Sequence, residues 1–564
     1  MINKPLGIYI NWSAYDELSD KIQLTEALAI EQFTHFLRLR QAGAKLDCYL
    51  MDCFWYAPQG AYRTWRRPQW SDDGEGWLAL CREHDVLPGM WFGNNAVGEW
   101  FGVHRHESWA GSIDATEDRT QVGAYCLFEG PFLNDYLAAL GYWYDRGVRV
   151  FKLDFLNQDA HLAHHRLHLL PHEIHTANAQ ALRSGLARFR AQHPEAIVIG
   201  YNGFDDVHTQ SGTEDIPRRS MDTRWLEGLD GFYTGDPRPA DVPAWNFWRA
   251  KDVYSDHRVR CYLAQGFDRR VLDNAGFMIG TTGTCYHRGT EAWKGMLILS
   301  LARGGWLNTY YGNLNLLSDA DGAWFARAQQ LFWPLLAQGT LTTLGGLPGT
   351  GCVYGFRLSG PDGSLTAIVN AGMVHADLAL LAEGQPSSGA ARILFRDAGY
   401  QPLLSTDRIT VGPEQLVLLG TGIYATATHD LGVQDHVVIP LRSTRLPLEV
   451  TAVGHQTLEA TLTMPASGAV RFVLRQRCDG HARRTSGGMS STGVTLGKLL
   501  MLSAVCAGEP VVLDIRYDKA IWSGLSWAVA ELPAARAAGG QLTVRACSKE
   551  LHPVQLELFA YLVE

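Results

Sequence analysis

The stretch RVFKLDFLNQD, residues 149–159, decides the fold. Its first half is largely apolar, as in a strand buried on both faces, yet Lys152 and Asp154 stand two positions apart near the end of the apolar run and so share one face. Charge at the end of a buried strand predicts a functional site there. A Lys–Asp pair that only fixes the strand is the alternative, and such pairs stabilise weakly.

Seven other apolar, β-rich runs alternate with helical patterns between residues 6 and 318. Several of the helical patterns end at a glycine, which is typical of a helix C-terminus. Eight strands alternating with helices predict a (β/α)₈ TIM barrel. The predicted strands are LGIYINW (6–12), KLDCYLMD (45–52), LPGMWFG (87–93), VRVFKLDF (148–155), AIVIGYNG (196–203), GFYTGD (231–236), GFMIGTTG (276–283) and GGWLNTYYG (304–312).

The period of the pattern changes after the helix-like run at 322–339. Short alternating runs separated by Gly, Pro and Asp follow, which is typical of β-sandwich domains. A chain of 564 residues is also too long for a single core. We therefore predict a multidomain protein, α/β plus all-β, with a catalytic barrel over 1–335, a β-sandwich over 340–423 and a second β-rich domain over 424–564.

Composition and charge exclude several classes of protein. The residues are 46% hydrophobic and 19% charged, as in a folded globular protein, and a net charge of −9 without a basic run argues against nucleic acid. The sequence shows no signal peptide and no apolar span of about 18 residues, which predicts a cytoplasmic protein without membrane contact. Its ten cysteines include no C-x-x-C pair, which favours reduced, buried thiols. A homo-oligomer remains open.

The chain is rich in tryptophan, with 18 in all. Flat apolar rings with a polar edge suit the stacked faces of sugars, whereas ordinary packing accounts for roughly half of them. Those crowded near the start are Trp12, Trp55, Trp65, Trp70, Trp77, Trp91, Trp100 and Trp109.

Polar side chains follow the predicted strands at their carboxyl ends, where TIM barrels carry their chemistry. Asp154 would face the mouth of the barrel as an ionised carboxylate, and Lys152, one pleat earlier, would pair with Asp154 or with substrate. The other residues predicted at this end are Asn11, Trp12, Asp52, Cys53, Trp55, Trp91, Asn94, Asn95, Asn202, Asp236, Thr281–Cys285, His287, Arg288, Asn308 and Tyr310.

Glycoside cleavage needs a second carboxylate, because one group attacks the anomeric carbon and the other protonates the leaving oxygen. Asp236 in GFYTGDPRP is our choice, since Pro237 and Pro239 stiffen the chain after it. We expect its carboxyl group to lie roughly 5 to 7 Å from that of Asp154. Asp222 in SMDTRW is the rival, although a solvated or capping role suits it better.

Three strand motifs resemble the family 36 α-galactosidases. YLMDCFW is similar to that family's strand ending in Asp-Asp-Gly-Trp, VLPGMWFGNNAV to its next strand ending in Trp-x-Glu-Pro, and VFKLDF to its Lys-Trp-Asp nucleophile strand. FYTGDPRP falls where family 36 and its relatives in families 27 and 31 carry the acid/base Asp. The likeness spans roughly residues 6 to 420 as a spaced pattern.

The resemblance implies a retaining α-glycosidase of the α-galactosidase superfamily. Asp154 would be the nucleophile that forms a covalent glycosyl-Asp intermediate, and Asp236 the acid/base. The substrate would be an oligosaccharide or other glycoside, and neither a cofactor nor a metal is implied. The predicted substrate-binding residues are Trp12, Asp52, Cys53, Trp55, Trp91, Lys152, Asn202 and Arg249. Arg249 would orient a carboxylate or a 2-hydroxyl, and a surface or structural arginine is the equal alternative.

Two departures from the family pattern concern the sugar. The second Asp of Asp-Asp-Gly-Trp is Cys53 here, and the Cys-Ser-Gly-Gly after strand five is replaced by Tyr201, Asn202, Gly203 and Phe204. In the family these positions contact hydroxyls that distinguish galactose. Because a thiol hydrogen-bonds weakly, we expect poor activity on a plain α-galactoside compared with another α-glycoside.

Other interpretations stay open. A transglycosylase would use the same two Asp residues and pass the glycosyl group to a sugar acceptor. A non-catalytic sugar-binding protein could also keep the barrel. In HLAHHRLHLLPHEIH, His161 and His165 have the spacing of a metal-chelating pair, but we expect no acidic or cysteine partner for them and prefer a polar loop or helix face.

Overall fold

The structure is a computed structural model, and it confirms a TIM barrel followed by β-domains. It describes residues 2–15, 23–57, 61–93, 95, 124–154, 156, 158–201, 223–233, 244–245, 247–280, 290, 292–380, 390–478, 481–482, 500–517, 527–549 and 553–564. The barrel strands are β1 (Leu6–Ile10), β2 (Cys48–Met51), β3 (Leu87–Phe92), β4 (Val150–Leu153), β5 (Ile197–Tyr201), β6 (Gly231–Tyr233), β7 (Asp273–Ile279) and β8 (Leu307–Gly312).

The eight barrel strands are parallel and pair in the order β6-β5-β4-β3-β2-β1-β8-β7. A parallel bridge between Phe232 and Leu272 joins the two ends of this order and closes the ring. The helices are α1 (Glu26–Gln41), α2 (Glu75–Glu83), α3 (Phe132–Asp145), α4 (Pro171–Gln192), α5 (Phe247–Ala264), α6 (Trp293–Ala302) and α7 (Asp319–Gln338), and a 3₁₀ turn, Thr223–Glu227, precedes β6.

Alternation along β4 fixes which side chains enter the barrel. The ring of Phe151 meets that of Phe189 in α4 edge-on at 5.5 Å, so Phe151 faces the helices. Lys152 points the other way, with its Nζ 5.6 Å from the ring centroid of Tyr311 in β8. Asp154 is two positions further along and so faces the barrel interior as well.

The predicted placement of Asn308 and Tyr310 at the barrel mouth is wrong. Asn308 is the second residue of β8, and its amide donates to the Leu6 oxygen at 3.3 Å, at the opposite end of the barrel. Tyr310 faces the helices, where its hydroxyl accepts a hydrogen bond from Gln329 in α7 at 2.8 Å. The prediction for Asn308 failed because β8 begins at Leu307, later than the sequence suggested, which places Asn308 near the start of the strand. The tyrosine that faces Lys152 is Tyr311.

The early tryptophans form a packed cluster beside the barrel. The Trp65 ring lies 4.2 Å from that of Trp70, 4.9 Å from that of Trp55 and 5.9 Å from that of Trp143 in α3. All four are fully buried, so packing explains them and they do not form a sugar-stacking surface. Trp100 and Trp109 lie outside the described residues.

The first β-domain forms a six-stranded sheet, β17-β13-β16-β11-β10-β9, and a three-stranded sheet, β12-β15-β14. Because β17 pairs in parallel with β13, this domain extends beyond the boundary predicted at 424. It shares one continuous core with the barrel. Its strands are β9 (Thr340–Gly345), β10 (Val353–Gly360), β11 (Gly363–Asn370), β12 (Ala376–Ala379), β13 (Ala391–Gly399), β14 (Leu403–Leu404), β15 (Arg408–Val411), β16 (Leu416–Gly422) and β17 (Gly432–Ile439).

The second β-domain has its own core between two sheets, β18-β28-β21-β26-β25 and β19-β20-β27-β23-β24, with β22 paired to β21. Its strands are β18 (Ser443–Leu446), β19 (Glu449–Gly454), β20 (Thr457–Thr463), β21 (Ala469–Cys478), β22 (His481–Ala482), β23 (Leu500–Cys506), β24 (Glu509–Val511), β25 (Asp514–Tyr517), β26 (Trp527–Pro533), β27 (Gln541–Ser548) and β28 (Gln555–Val563).

Two predictions about the whole chain can be compared with the described ranges. Within them, no helix is long and apolar enough to cross a membrane. The cysteines described there are free thiols, and those in the barrel, Cys48, Cys53, Cys81, Cys126 and Cys261, are all buried, as the sequence predicted.

Candidate active site

Asp154 stands at the carboxyl end of β4, one residue past the strand. Its backbone N–H donates to the Phe92 oxygen at 3.0 Å, which continues the pairing with β3. Its side chain is buried, and Oδ2 accepts a hydrogen bond from Nε1 of Trp91 at 3.1 Å. The backbone and the indole N–H together fix the direction in which the carboxylate points.

Lys152 forms a buried ion pair, with its Nζ 2.9 Å from Oδ2 of Asp52. Sequence reasoning suggested Asp154 or the substrate as its partner. Asp52 also accepts the Cys53 N–H through Oδ1, at 2.8 Å, and donates its own N–H to Oδ1 of Asn11, also at 2.8 Å. This set of bonds holds Asp52 as a fixed hydrogen-bonding group beside the ammonium.

Aromatic rings surround these charges. The ring of Trp91 stacks on Tyr56 at 5.9 Å with an interplanar angle of 8°, and Tyr311 lies against Lys152. Trp12 follows β1 and meets Tyr15 edge-on at 5.7 Å. Sequence reasoning missed Tyr56, and it chose Tyr310 where the structure places Tyr311 beside Lys152.

Trp55 has a supporting place in the structure. It is fully buried, and its Nε1 donates to the backbone oxygen of Trp91 at 2.8 Å. Its ring contacts Phe92 and Trp143 edge-on, on the helix side of the sheet. We therefore replace the sugar contact predicted for Trp55 with a role in positioning Trp91.

Cys53 is a neutral thiol beside the charged groups. Burial raises the pKa of its thiol well above the usual value, the charges of Asp52 and Asp154 raise it further, and Lys152 lowers it. Its Sγ lies 3.9 Å from the Tyr56 hydroxyl. The position where the family 36 pattern has a second carboxylate thus carries a weakly hydrogen-bonding group.

Backbone strain marks the loops after β1 and β2. Ser13 has φ 73° and Phe54 has φ 74°, a left-handed conformation that costs energy for residues other than glycine. The hydroxyl of Tyr15 ties the two loops together by donating to the Cys53 oxygen at 2.8 Å. Strain of this kind is concentrated at functional sites, and no sequence signal indicated it.

The structure brings five of the predicted site residues together: Asp52, Cys53, Trp91, Lys152 and Asp154. Asp236 and Asn202, as well as Asp222 and Asn94, lie outside the described residues. The backbone of Arg249 belongs to α5, but its side chain is outside the described part of the chain.

One group of described residues could hold a metal: Glu129, His164 and His165. Nε2 of His165 lies 2.5 Å from Oε2 of Glu129, and Nε2 of His164 lies 3.3 Å from the same oxygen. The expectation that these histidines have no acidic partner is therefore wrong. The partner escaped sequence reasoning because Glu129 comes from the loop before α3.

The hydrogen bonds of His165 argue against a metal. Its Nδ1 accepts the Leu162 N–H at 3.1 Å, so the proton of the neutral ring sits on Nε2 and is donated to Glu129. This hydrogen bond is the largest cause that lowers the pKa of Glu129. A metal on Nε2 of His165 would require the ring proton to move to Nδ1, which would break the hydrogen bond from the Leu162 N–H. Glu129, His164 and His165 therefore fit a hydrogen-bonded contact between two barrel loops better than a metal site.

No protein-family model matches the chain, and no curated protein is similar to it. Solved structures with a distant likeness include Amy13B of Eubacterium rectale, at 12% identity over 75% of this chain and 98% of that chain, with a TM-score of 0.46. Trehalose-6-phosphate hydrolase of Bacillus licheniformis has 10% identity over 74% and 99% of the two chains and a TM-score of 0.49. Trehalulose synthase MutB of Pseudomonas mesoacidophila MX-45 has 12% identity over 74% and 98%, with a TM-score of 0.48.

Proposed function

We propose that the protein is a retaining α-glycosidase that works through a covalent glycosyl-Asp154 intermediate. The observation that carries the proposal is the carboxylate of Asp154, which stands at the carboxyl end of β4, faces the barrel interior and is oriented by the Trp91 N–H. A fixed carboxylate at this end of a TIM barrel suits attack on an anomeric carbon.

The pair of Lys152 and Asp52 suits the recognition of a sugar. An ammonium offers three donors and a carboxylate several acceptor positions. After Lys152 and Asp52 have bound each other, both therefore keep hydrogen-bonding positions for neighbouring sugar hydroxyl groups. The rings of Trp91 and Tyr56 stack on each other beside this pair and are buried, so they support the site by packing. Lys152 and Asp52 would hold the sugar whose bond is cut.

In the proposed mechanism, Asp154 attacks the anomeric carbon while Asp236 protonates the leaving oxygen. Water deprotonated by Asp236 then hydrolyses the ester, and the configuration is retained. The assignment of Asp236 rests on the family resemblance and on its position three residues after β6. A transglycosylase differs only in the acceptor, so adding a sugar acceptor and analysing the products separates the two activities.

A panel of nitrophenyl α- and β-glycosides tests the activity and the sugar together. We expect turnover of an α-glycoside, with the α-anomer appearing first by NMR, and a lower kcat/KM for the α-galactoside, because Cys53 offers little to galactose hydroxyls. An inverted first product contradicts the mechanism. Sugar binding without turnover of any member would favour a non-catalytic barrel, and the highest kcat/KM for the α-galactoside would remove the role given to Cys53.

Replacing Trp91 by Phe tests the orientation of the nucleophile. The variant keeps a ring that can stack on Tyr56 but loses the N–H donated to Asp154. A hydrogen bond to a charged group contributes about 1.5 to 3 kcal/mol, so we expect kcat to fall roughly 10- to 100-fold. Trp65→Phe changes a buried ring of the tryptophan cluster in the same way and should leave kcat unchanged. Equal effects of the two substitutions would mean that the N–H has no role in turnover.

A further inference from the structure

Asn178 in α4 is fully buried, and its amide binds two segments of the barrel at once. Its Oδ1 accepts the N–H groups of Leu127 and Phe128, at 2.7 Å and 3.2 Å, in the β3–α3 segment, residues 124–131. Its Nδ2 donates to the oxygens of Gln158 and Ala160, at 2.7 Å and 2.6 Å, in the β4–α4 segment, residues 158–169. The hydrogen-bonding positions of the amide are thus used on backbone groups of the two segments.

The two segments also contact each other directly. Nε2 of His165 donates to Oε2 of Glu129 at 2.5 Å, and the rings of His165 and Phe128 stack with their centroids 4.5 Å apart. Nδ1 of His165 accepts the Leu162 N–H at 3.1 Å, a hydrogen bond within the β4–α4 segment. The joint between the segments therefore has two parts, Asn178 and the pair of Glu129 and His165.

Asn95 ties the β3–α3 segment to the end of β3. It lies three residues past Phe92 and is fully buried. Its Nδ2 donates to the Tyr125 oxygen at 2.6 Å, and its own backbone oxygen accepts the Tyr125 N–H at 2.7 Å. Because β3 also carries Trp91, whose indole N–H is donated to Asp154, this segment is linked to the strand that orients the nucleophile.

The β4–α4 segment begins close to the nucleophile. Asp154 lies four residues before Gln158, and Leu156 between them is buried in the barrel core. The ends of β3 and β4 are thus linked twice, directly at Asp154 and again through Asn178. The second link restrains the chain that follows the nucleophile, because a shift of that chain would leave two carbonyl groups without the donors that Asn178 supplies.

We propose that Asn178 is a positioning residue for catalysis. It holds the β3–α3 and β4–α4 segments in one arrangement and thereby keeps the carboxylate of Asp154 aligned with the anomeric carbon of the sugar. The proposal rests on the proposed function, in which Asp154 is the nucleophile. An asparagine that only stabilised the fold would change the fraction of folded protein, whereas a positioning residue changes the rate of attack by the folded protein.

Hydrogen exchange on the full chain tests the joint without reference to activity. Asn178→Asp keeps the oxygen that accepts from Leu127 and Phe128 but offers at most one donor to the oxygens of Gln158 and Ala160. We expect exchange in the β4–α4 segment to become at least about tenfold faster, while the β3–α3 segment stays protected. Asn178→Ala should speed exchange in both segments. Unchanged exchange in the β4–α4 segment of Asn178→Asp overturns the proposal.

Asn274→Asp is the matched control. Asn274 is a buried asparagine at the opposite end of the barrel, where its Nδ2 donates to the Gly305 oxygen at 3.0 Å and to Oδ1 of Asn308 at 3.2 Å. The same change of amide to carboxyl should destabilise the fold there but leave exchange in both segments unchanged. Equally fast exchange in Asn274→Asp would mean that the loss of any buried asparagine loosens the segments, and it would contradict the role given to Asn178.

The rate of covalent labelling tests the link to the nucleophile. The probe is the 5-fluoro-α-glycosyl fluoride of the sugar that the nitrophenyl panel selects. A carboxylate oxygen of Asp154 bonds to its anomeric carbon while fluoride leaves with the electron pair of the C–F bond, so labelling reports the attack alone. We expect Asn178→Asp to lower the labelling rate constant roughly 10- to 100-fold and to change the dissociation constant of the probe less than about threefold.

A merely structural role gives a different result, since unfolded protein lowers the final extent of labelling and not the rate constant of the folded fraction. A wild-type rate constant in Asn178→Asp therefore contradicts the positioning role, and so does an equal decrease in Asn274→Asp. If the wild type is not labelled at Asp154, the proposed function fails, and hydrogen exchange still decides whether Asn178 joins the two segments.

Discussion

Asp154→Asn should lower kcat by about four orders of magnitude while the protein stays folded, because an amide cannot form the glycosyl ester. The asparagine keeps an oxygen that can accept the Trp91 N–H, so the packing of the site is preserved. The measurement is kcat on the best aryl α-glycoside of the panel, together with the thermal unfolding midpoint.

Asp159→Asn is the matched control for this substitution. Asp159 lies in the same β4–α4 connection, but its side chain is 58% exposed and pairs with His175. This variant should keep wild-type kcat.

In Asp154→Ala, added azide should enter the vacated space and restore cleavage with a β-glycosyl azide as product. Retention of more than a few per cent of activity in Asp154→Asn would place the nucleophile elsewhere.

Lys152→Met should have the largest effect on stability. It would leave the carboxylate of Asp52, whose side chain is only 2% exposed, without its counter-charge. Removing one partner of a buried ion pair typically costs about 3 to 5 kcal/mol in the free energy of unfolding. We also expect activity to fall sharply, since the sugar loses an ammonium donor. Urea unfolding measures the first effect and kcat/KM the second.

The double variant Lys152→Met/Asp52→Asn separates the two effects. It removes the uncompensated charge, so most of the lost stability should return, while activity stays low because neither charged group can bind the sugar. Lys294→Met serves as the control. The Nζ of Lys294 lies 3.4 Å from Oδ1 of Asp321, and both side chains are partly exposed. This ion pair should therefore contribute less than about 1 kcal/mol to the free energy of unfolding. Recovery of activity in the double variant would mean that the pair is only structural.

The barrel could be predicted from the sequence because its evidence is local. Apolar runs alternating with helical patterns are visible within short windows, and two-residue alternation placed Lys152 and Asp154 on one face. Phe151 against Phe189 and Lys152 against Tyr311 confirm that face. Strand ends were less certain, which is why Asn308 was assigned to the wrong end of the barrel.

The partners of the site residues could not be predicted, since they depend on contacts between distant segments. Lys152 and Asp52 are 100 residues apart and meet only because β2 and β4 flank β3. Whether Trp55 faces a sugar or the core is likewise decided by its neighbours, Phe92 and Trp143 among them. Local patterns likewise do not encode the pairing by which β17 joins the sheet of the first β-domain.

The most direct test of the proposed mechanism is to trap the intermediate with a 5-fluoro-α-glycosyl fluoride of the preferred sugar. Its second fluorine destabilises the oxocarbenium-like transition states, while the reactive leaving group still allows the ester to form, so the intermediate accumulates. Mass spectrometry of the digested protein should find one glycosyl group, attached to the peptide at Asp154. A glycosyl group on any other residue, or steady turnover of the probe without a covalent adduct, would contradict the mechanism.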